Sequence, residues 1–231
     1  MPQARRDLDR VHDFYCSPRS AGQLAESIYE IWEKGEAFRD SVTPSTYVPE
    51  YRSHIVLKIL SLTQAAGSVL SLGCGNGFVE GDLVTHHRTV RAVDCNTEAV
   101  ELTQAKGVDA FTADFFALAP EDVAGADVVY ADGLLGHLFD PAEELKPSLA
   151  KLASLQFRPG AWLVLSNDSP RDPGALFAPH DSVEGFWFIS KDYLQKMLTA
   201  YGFEPEESYY FPYTRPLSGM RNRTICVARV P

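Results

Sequence analysis

The chain has 231 residues, 45% of them apolar, and a formal net charge of −10. That length holds one domain, or one domain with an appendage, and a core of ordinary size. An acidic surface repels phosphate backbones and no basic cluster interleaved with aromatics offsets it, so nucleic acid is set aside and a small-molecule substrate expected.

Cys16, Cys74, Cys95 and Cys226 are widely spread, with no C-x-x-C pair and no histidine at zinc spacing. This predicts reduced structural thiols and no metal. The stretch MPQARRDLDRVHDFY is charged and lacks the apolar centre of a secretory signal. No apolar run approaches the ~20 residues of a membrane span. The expected protein is cytoplasmic, makes no contact with membrane, and leaves its oligomeric state open, a homodimer included.

In chain order, residues 1–66 read as a mostly helical cap. Leu24, Ile28, Ile31 and Trp32 recur at helical spacing with Gly35 as a stop, and Val48, Tyr51, Ile55, Ile59 and Leu62 form a second apolar face. From residue 67 onward, β-branched runs alternate with helical patterns: VLSLG (69–73), RAVD (91–94), DAFTAD (109–114), DVVYAD (127–132), AWLVLSND (161–168), SYYF (208–211) and TICVARV (224–230). Strands joined by helical crossovers predict an α/β, Rossmann-like, doubly wound sheet of seven mostly parallel strands, with an antiparallel last strand and the helical cap at its amino-terminal side. No helical pattern separates the last two strands, so they pair as a hairpin at the sheet edge.

The joints fit. Asn96 precedes the helix TEAVELTQAK, which Gly107 ends; Asp140-Pro141 with Glu143 reads as a helix start that Pro147 disturbs; Ser190 caps a helix closed by Gly202. Residues 169–187, SPRDPGALFAPHDSVEGFW, form the longest irregular stretch, a length that is commonly functional.

SLGCGNGF, residues 71–78, gives up three side chains within five positions at the first strand-to-helix turn. Ligands of such sheets sit there, and glycine lets them approach the main chain. The pattern Gly73-x-Gly75-x-Gly77 is one residue tighter than the G-x-G-x-x-G of dinucleotide folds, which favours amino-acid and sugar parts against the loop over a pyrophosphate. Asp94 ends the second strand, where a carboxylate can accept from both ribose hydroxyls. Asp114 ends the third, with Phe115 beside it to flank an adenine.

VLSLGCGNG, RAVDCN, TADFF, DVVYADGLLGHLFD and FRPGAWLVLSND resemble, in order and separation, the successive motifs of class I S-adenosylmethionine-dependent methyltransferases. The likeness covers about residues 65–231. It implies S-adenosylmethionine as cofactor: Gly73, Gly75 and Gly77 against its methionine part, Asp94 with neighbouring Cys95 at the ribose, Asp114 and Phe115 at the adenine, and the backbone of Asp132 at the ammonium. Tyr47 and Arg52 fall where a cap residue reaches the cofactor carboxylate. Gly133 departs from the family pattern, which often has an acidic or amide residue there.

Methyl transfer from a sulfonium needs mainly alignment and exclusion of water, plus a base when the acceptor must lose a proton. His137, in GLLGHLF, is the base candidate, set against a purely structural capping role. Asp168 and His180 face the expected acceptor side, with Tyr15 and Trp187 as walls; His86 and His87 read as surface. The resulting expectation is a small-molecule methyltransferase. Two alternatives stand beside it: a nicotinamide-dependent oxidoreductase, against which the glycine spacing counts, and a non-catalytic methyltransferase-like partner subunit, against which the intact glycines and Asp94 count.

Overall fold

A computed structural model describes residues 8–17, 19–21, 24–38, 41–42, 44–181, 183–215 and 219–231. Seven strands form its main sheet: β1 (Ser68–Leu72), β2 (Thr89–Asp94), β3 (Asp109–Thr112), β4 (Val128–Asp132), β5 (Trp162–Asp168), β6 (Glu204–Arg215) and β7 (Gly219–Arg229). Their order is β6-β7-β5-β4-β1-β2-β3. The β1–β2, β1–β4, β2–β3 and β4–β5 pairs are parallel, while β7 runs antiparallel to both β5 and β6. The sheet therefore has the expected seven strands and the expected antiparallel last strand.

Period-two alternation splits the core into two layers. Leu70, Leu72, Val129, Ala131, Leu163 and Leu165 point to one side. Val69, Val90, Ala92, Val128, Tyr130 and Val164 point to the other. Both faces of the sheet are covered, as parallel sheets require.

The helices follow from local signals. Helix α1 spans Leu8–Cys16, α2 Ile28–Glu33 and α3 Pro49–Leu62, with Pro49 in the first turn of α3. Helices α4 (Phe78–Thr85) and α5 (Thr97–Gln104) fill the crossovers after β1 and β2. Three more, α6 (Pro120–Val123), α7 (Leu134–His137) and α8 (Lys146–Ser154), precede β5, and α9 (Lys191–Ala200) precedes β6. Tyr51, Ile55, Val56 and Ile59 of α3 pack with Val79, Leu83 and Val100 on one sheet face. Leu145, Leu149, Leu152, Leu194 and Leu198 cover the other.

Several expectations need correcting. Leu24 lies in a short strand, Leu24–Glu26, paired with Arg19–Ala21, and not on a helix. The helix starts at Ile28 because Ser27 and Glu30 form a reciprocal capping box: Ser27 Oγ accepts from the Glu30 amide at 3.1 Å and the Ser27 amide donates to Glu30 at 2.9 Å. Asp140 makes a turn, its carboxylate accepting from the amides of Ala142 and Glu143 at 2.7 and 2.9 Å. The helix waits until Lys146, with Pro147 in its first turn, where a missing N–H costs nothing. Asn96 holds the N-cap position of α5 without a side-chain cap; its amide donates to the Tyr29 hydroxyl at 3.0 Å. Ser190 does cap α9, accepting from the Tyr193 amide at 3.3 Å. Within 169–187 a strand forms, Phe177–Pro179, paired antiparallel with Trp187–Ile189.

Candidate active site

A cavity of about 230 Å³ opens at the carboxyl ends of β1–β5. Its floor is the glycine turn. Gly73, at φ +74°, and Gly75, at φ +52°, both take left-handed backbone conformations. A Cβ on Gly75 would meet no atom within 4 Å, so its bare main chain fronts open space. Gly77, also at positive φ, does not line the cavity: a Cβ there would lie 2.5 Å from Thr103 Oγ1, so this glycine lets α4 pack against α5.

Asp94 is 8% exposed at the end of β2. It accepts from the Gly75 amide and from the Asn96 amide, each at 3.0 Å. These bonds fix the carboxylate and use two of its roughly four lone-pair directions. Burial pushes its pKa up, and hydrogen bonds from Asn96, Gly75 and Cys95 oppose that shift. Cys95, Asp114 and Phe115 also line the cavity, and Asp114 accepts from the Phe116 amide at 3.1 Å.

One buried acid escaped the sequence reading. Glu80, in the first turn of α4, is 3% exposed and lines the cavity beside the turn. It accepts from Ser71 Oγ at 2.5 Å, and burial raises its pKa to about 7. The signal was an acidic residue directly after the apolar pair Phe78-Val79 in FVEGDLV, where Asp82 is the second acid.

Aromatic side chains roof the cavity. Tyr15 stacks on Tyr29 with ring centroids 5.2 Å apart, and Trp32 meets both edge-on. The Tyr15 hydroxyl lies 2.5 Å from His137 Nε2. His137 ends α7, whose turn is anchored where the Gly136 amide donates to Asn167 Oδ1 at 3.0 Å; Asn167 in turn donates to the Trp187 carbonyl. Burial drives the Tyr15 phenol far above its ordinary value, so it stays protonated. His180 lines the cavity, its Nδ1 accepting from the Val183 amide at 3.0 Å.

Asp132 and Asp168 end β4 and β5 and line the cavity, each held in a buried network. Arg223 of β7 pairs with Asp132 and, at 3.2 Å, with Asp168. Arg215 of β6 donates to Asp168 at 2.7 Å, and Tyr213 donates to it at 2.9 Å. Tyr51 reaches from α3 to Asp132 at 2.8 Å and to Ser166 at 2.5 Å. Asp168 is therefore a fixed counter-charge for two arginines. Neither arginine was singled out from sequence, although Arg223 continues the inward alternation of Ile225 and Val227.

Besides Gly77, three expected residues are not among those lining the cavity. Arg52 pairs with Asp82 at 3.0 Å, and the Tyr47 ring packs edge-on against Phe78 at 5.4 Å; both are drawn to α4 instead. Trp187 stacks on Phe139 at 4.5 Å in the core, so it is not an acceptor wall. His86 and His87 are exposed, as expected.

A family profile described as methyltransferase domain matches residues 46–208. The chain belongs to this family. The methyltransferase is 61% identical, over its whole length and 92% of the relative's, to a protein of Pseudomonas amygdali pv. tabaci named tabtoxin biosynthesis enzyme. Among solved structures, a Burkholderia thailandensis 1,6-didemethyltoxoflavin-N1-methyltransferase, with its substrate and S-adenosylhomocysteine bound, is 25% identical, with a TM-score of 0.59 over 77% of this chain and 76% of that one. A Methanosarcina mazei methyltransferase, 16% identical, shares the fold with a TM-score of 0.61 over 74% and 96% of the two chains. The methyltransferase uses S-adenosylmethionine, and Gly75 and Asp94 fit that cofactor: a main chain with no Cβ toward the cavity beside a fixed, buried carboxylate with lone pairs to spare.

Proposed function

We propose that the enzyme methylates a small metabolite or natural-product intermediate held in the same cavity as the cofactor. The observation that carries this reading is continuity: one cavity runs from Gly73 and Gly75 to Tyr15, His137 and the two arginines, under a roof of aromatic rings. An acceptor reaching the methyl donor there is enclosed, and a macromolecular chain has no comparable room. The tabtoxin biosynthesis enzyme and the didemethyltoxoflavin methyltransferase support the same class of acceptor.

S-adenosylmethionine supplies a methyl group on a sulfonium leaving group, transferred by in-line displacement. The chain supplies placement. Asp94 accepts from the ribose hydroxyls, Asp114 and Phe115 receive the adenine, and the backbone at Gly73, Gly75 and Asp132 lies along the methionine part. Asp94 and Asp114 make this end of the cavity anionic, which suits a cationic ligand. His137 takes the acceptor's proton. It does so through Tyr15: the phenol, which burial keeps protonated, passes its own proton to His137 Nε2 as its oxygen receives the acceptor's.

Calorimetry with S-adenosylhomocysteine tests the cofactor half, and transfer of isotopically labelled methyl into a cell extract tests the acceptor half. Binding, with label in the low-mass fraction, is expected. Label confined to precipitable protein or nucleic acid would overturn the small-molecule reading. Asp94→Ala should weaken binding of the cofactor product by about 1.5–3 kcal/mol, the range for hydrogen bonds to a charged group. Unchanged affinity would remove Asp94 from the ribose.

A further inference from the structure

We propose that the acceptor carries a carboxylate, which Arg215 holds at the β5–β7 end of the cavity. This deepens the function proposed above and rests on it. The cavity is electrically two-ended: Asp94 and Asp114 line it on the side of β2–β3, and its lining arginines among the described residues, Arg215 and Arg223, come from β6 and β7. Arg215 sits on β6, four strand positions from β1 in the sheet order. Neighbouring strands lie about 4.8 Å apart, so this end is well separated from the glycine turn.

The two arginines differ in what remains to be used. Arg223, 3% exposed, is held by ion pairs to Asp132 and Asp168 and by a hydrogen bond from Nε to Ser166 Oγ. It is structural mortar. Arg215 donates through Nε to Tyr213 at 2.6 Å and through one terminal nitrogen to Asp168 at 2.7 Å. A guanidinium has five N–H donors, so these two bonds leave three on a side chain that lines both cavities. Asp168 already accepts from Tyr213, Arg215 and Arg223; it orients Arg215 and leaves no room for another cation.

A small second cavity adjoins this end and shares Asp168, His180 and Arg215 with the first; Arg171 and Arg221 complete its charged lining. At this end of the first cavity and around the second, Arg171, Arg215, Arg221 and Arg223 stand against Asp132, Asp168 and Asp181, a local excess of positive charge in a chain whose net charge is −10. A planar fork with an ordered counter-ion behind it matches a carboxylate bidentately.

The test uses protein saturated with S-adenosylhomocysteine. Propionate, succinate and glutarate, their amides, and inorganic phosphate are titrated by ligand-observed NMR against wild type, Arg215→Gln and Arg215→Lys. Acids should bind wild type roughly tenfold or more tighter than amides, as loss of charge-assisted hydrogen bonds implies. Arg215→Gln should lose that preference, Arg215→Lys should keep part of it, and the Kd for S-adenosylhomocysteine should not change in either variant, which also reports that both fold. Equal binding of acids and amides, tighter binding of phosphate, or retained acid preference in Arg215→Gln would each overturn the proposal. A weakened S-adenosylhomocysteine Kd in that variant would overturn it too, by assigning Arg215 to the cofactor's own carboxylate. Wild type that fails to bind S-adenosylhomocysteine would overturn the underlying functional reading and the inference together; cofactor binding without acid selectivity would overturn the inference alone.

Discussion

Gly75 and Gly77 lie two positions apart, and both take positive φ, yet they answer to different forces. Gly77→Ala would place a Cβ 2.5–2.9 Å from Thr103, inside the interface of α4 and α5. It should cost about 2–4 kcal/mol in urea unfolding, from left-handed strain plus overpacking. Gly75→Ala meets nothing, so only the strain of about 1–2 kcal/mol should appear in stability. The Kd for S-adenosylhomocysteine should instead rise by about tenfold or more, near 1.4 kcal/mol, because the added methyl occupies the cradle. Equal binding losses at the two positions would mean that the turn acts as one structural unit. Glu80 gives a pH signature. Its carboxyl keeps a proton up to about 7 when folded against 4.5 ordinarily, so the folded state binds the extra proton between those values. That contribution is complete below pH 4.5 and is lost as pH rises through 7, so stability falls with rising pH. Glu80→Gln removes the dependence. Relative to wild type it should gain up to about 3 kcal/mol between pH 5 and pH 8 in urea melts, at 1.36 kcal/mol per unit; a parallel profile for the two proteins would refute it.

At the scale of elements, α1 and α7 matter to the site because they bring two rings together across 122 positions of sequence. Tyr15→Phe keeps the stack on Tyr29 and removes the hydroxyl at His137. It should lower kcat by about tenfold to a hundredfold with little change in KM for the cofactor, the lower part of the usual range for proton-transfer partners. A loss confined to KM would make Tyr15 a binding wall only. The same elements show where local signals suffice. Ser27 with Glu30, Ser190 before Tyr193, and Pro49 or Pro147 in a first turn are contacts within a few residues, and their helices start where those signals stand. Leu24 misleads because its helical spacing to Ile28, Ile31 and Trp32 does not outweigh a capping box three positions downstream. Trp187 misleads for another reason: an aromatic beside a long loop looks like a wall, but pairing with Phe177–Pro179 turns it onto Phe139.

On the scale of the whole molecule, the buried network of Arg223, Asp132, Asp168 and Tyr51 ties α3 to β4, β5 and β7. Arg223→Met would leave two carboxylates in the interior without their shared cation and should cost about 3–5 kcal/mol by denaturant titration. A loss below about 1 kcal/mol, the size of a surface pair, would show that the network is solvated.

The sequence by itself determined the seven strands, the antiparallel close of the sheet, and the glycine turn with Asp94 at the next strand end; Asp114, expected to end the third strand, lies two residues past its last residue, Thr112, and caps the turn that follows. Each is written in period-two alternation, in turn residues, or in the position of a residue at the end of its own strand. Only the tertiary structure decided that Gly77 serves helix packing, that Tyr47 and Arg52 belong to α4, that Asp168 is bound by two arginines, and that Arg215 and Glu80 front the cavity. Those roles depend on which distant side chains meet after the sheet has closed, and pairings across tens of positions leave no periodic trace in the chain.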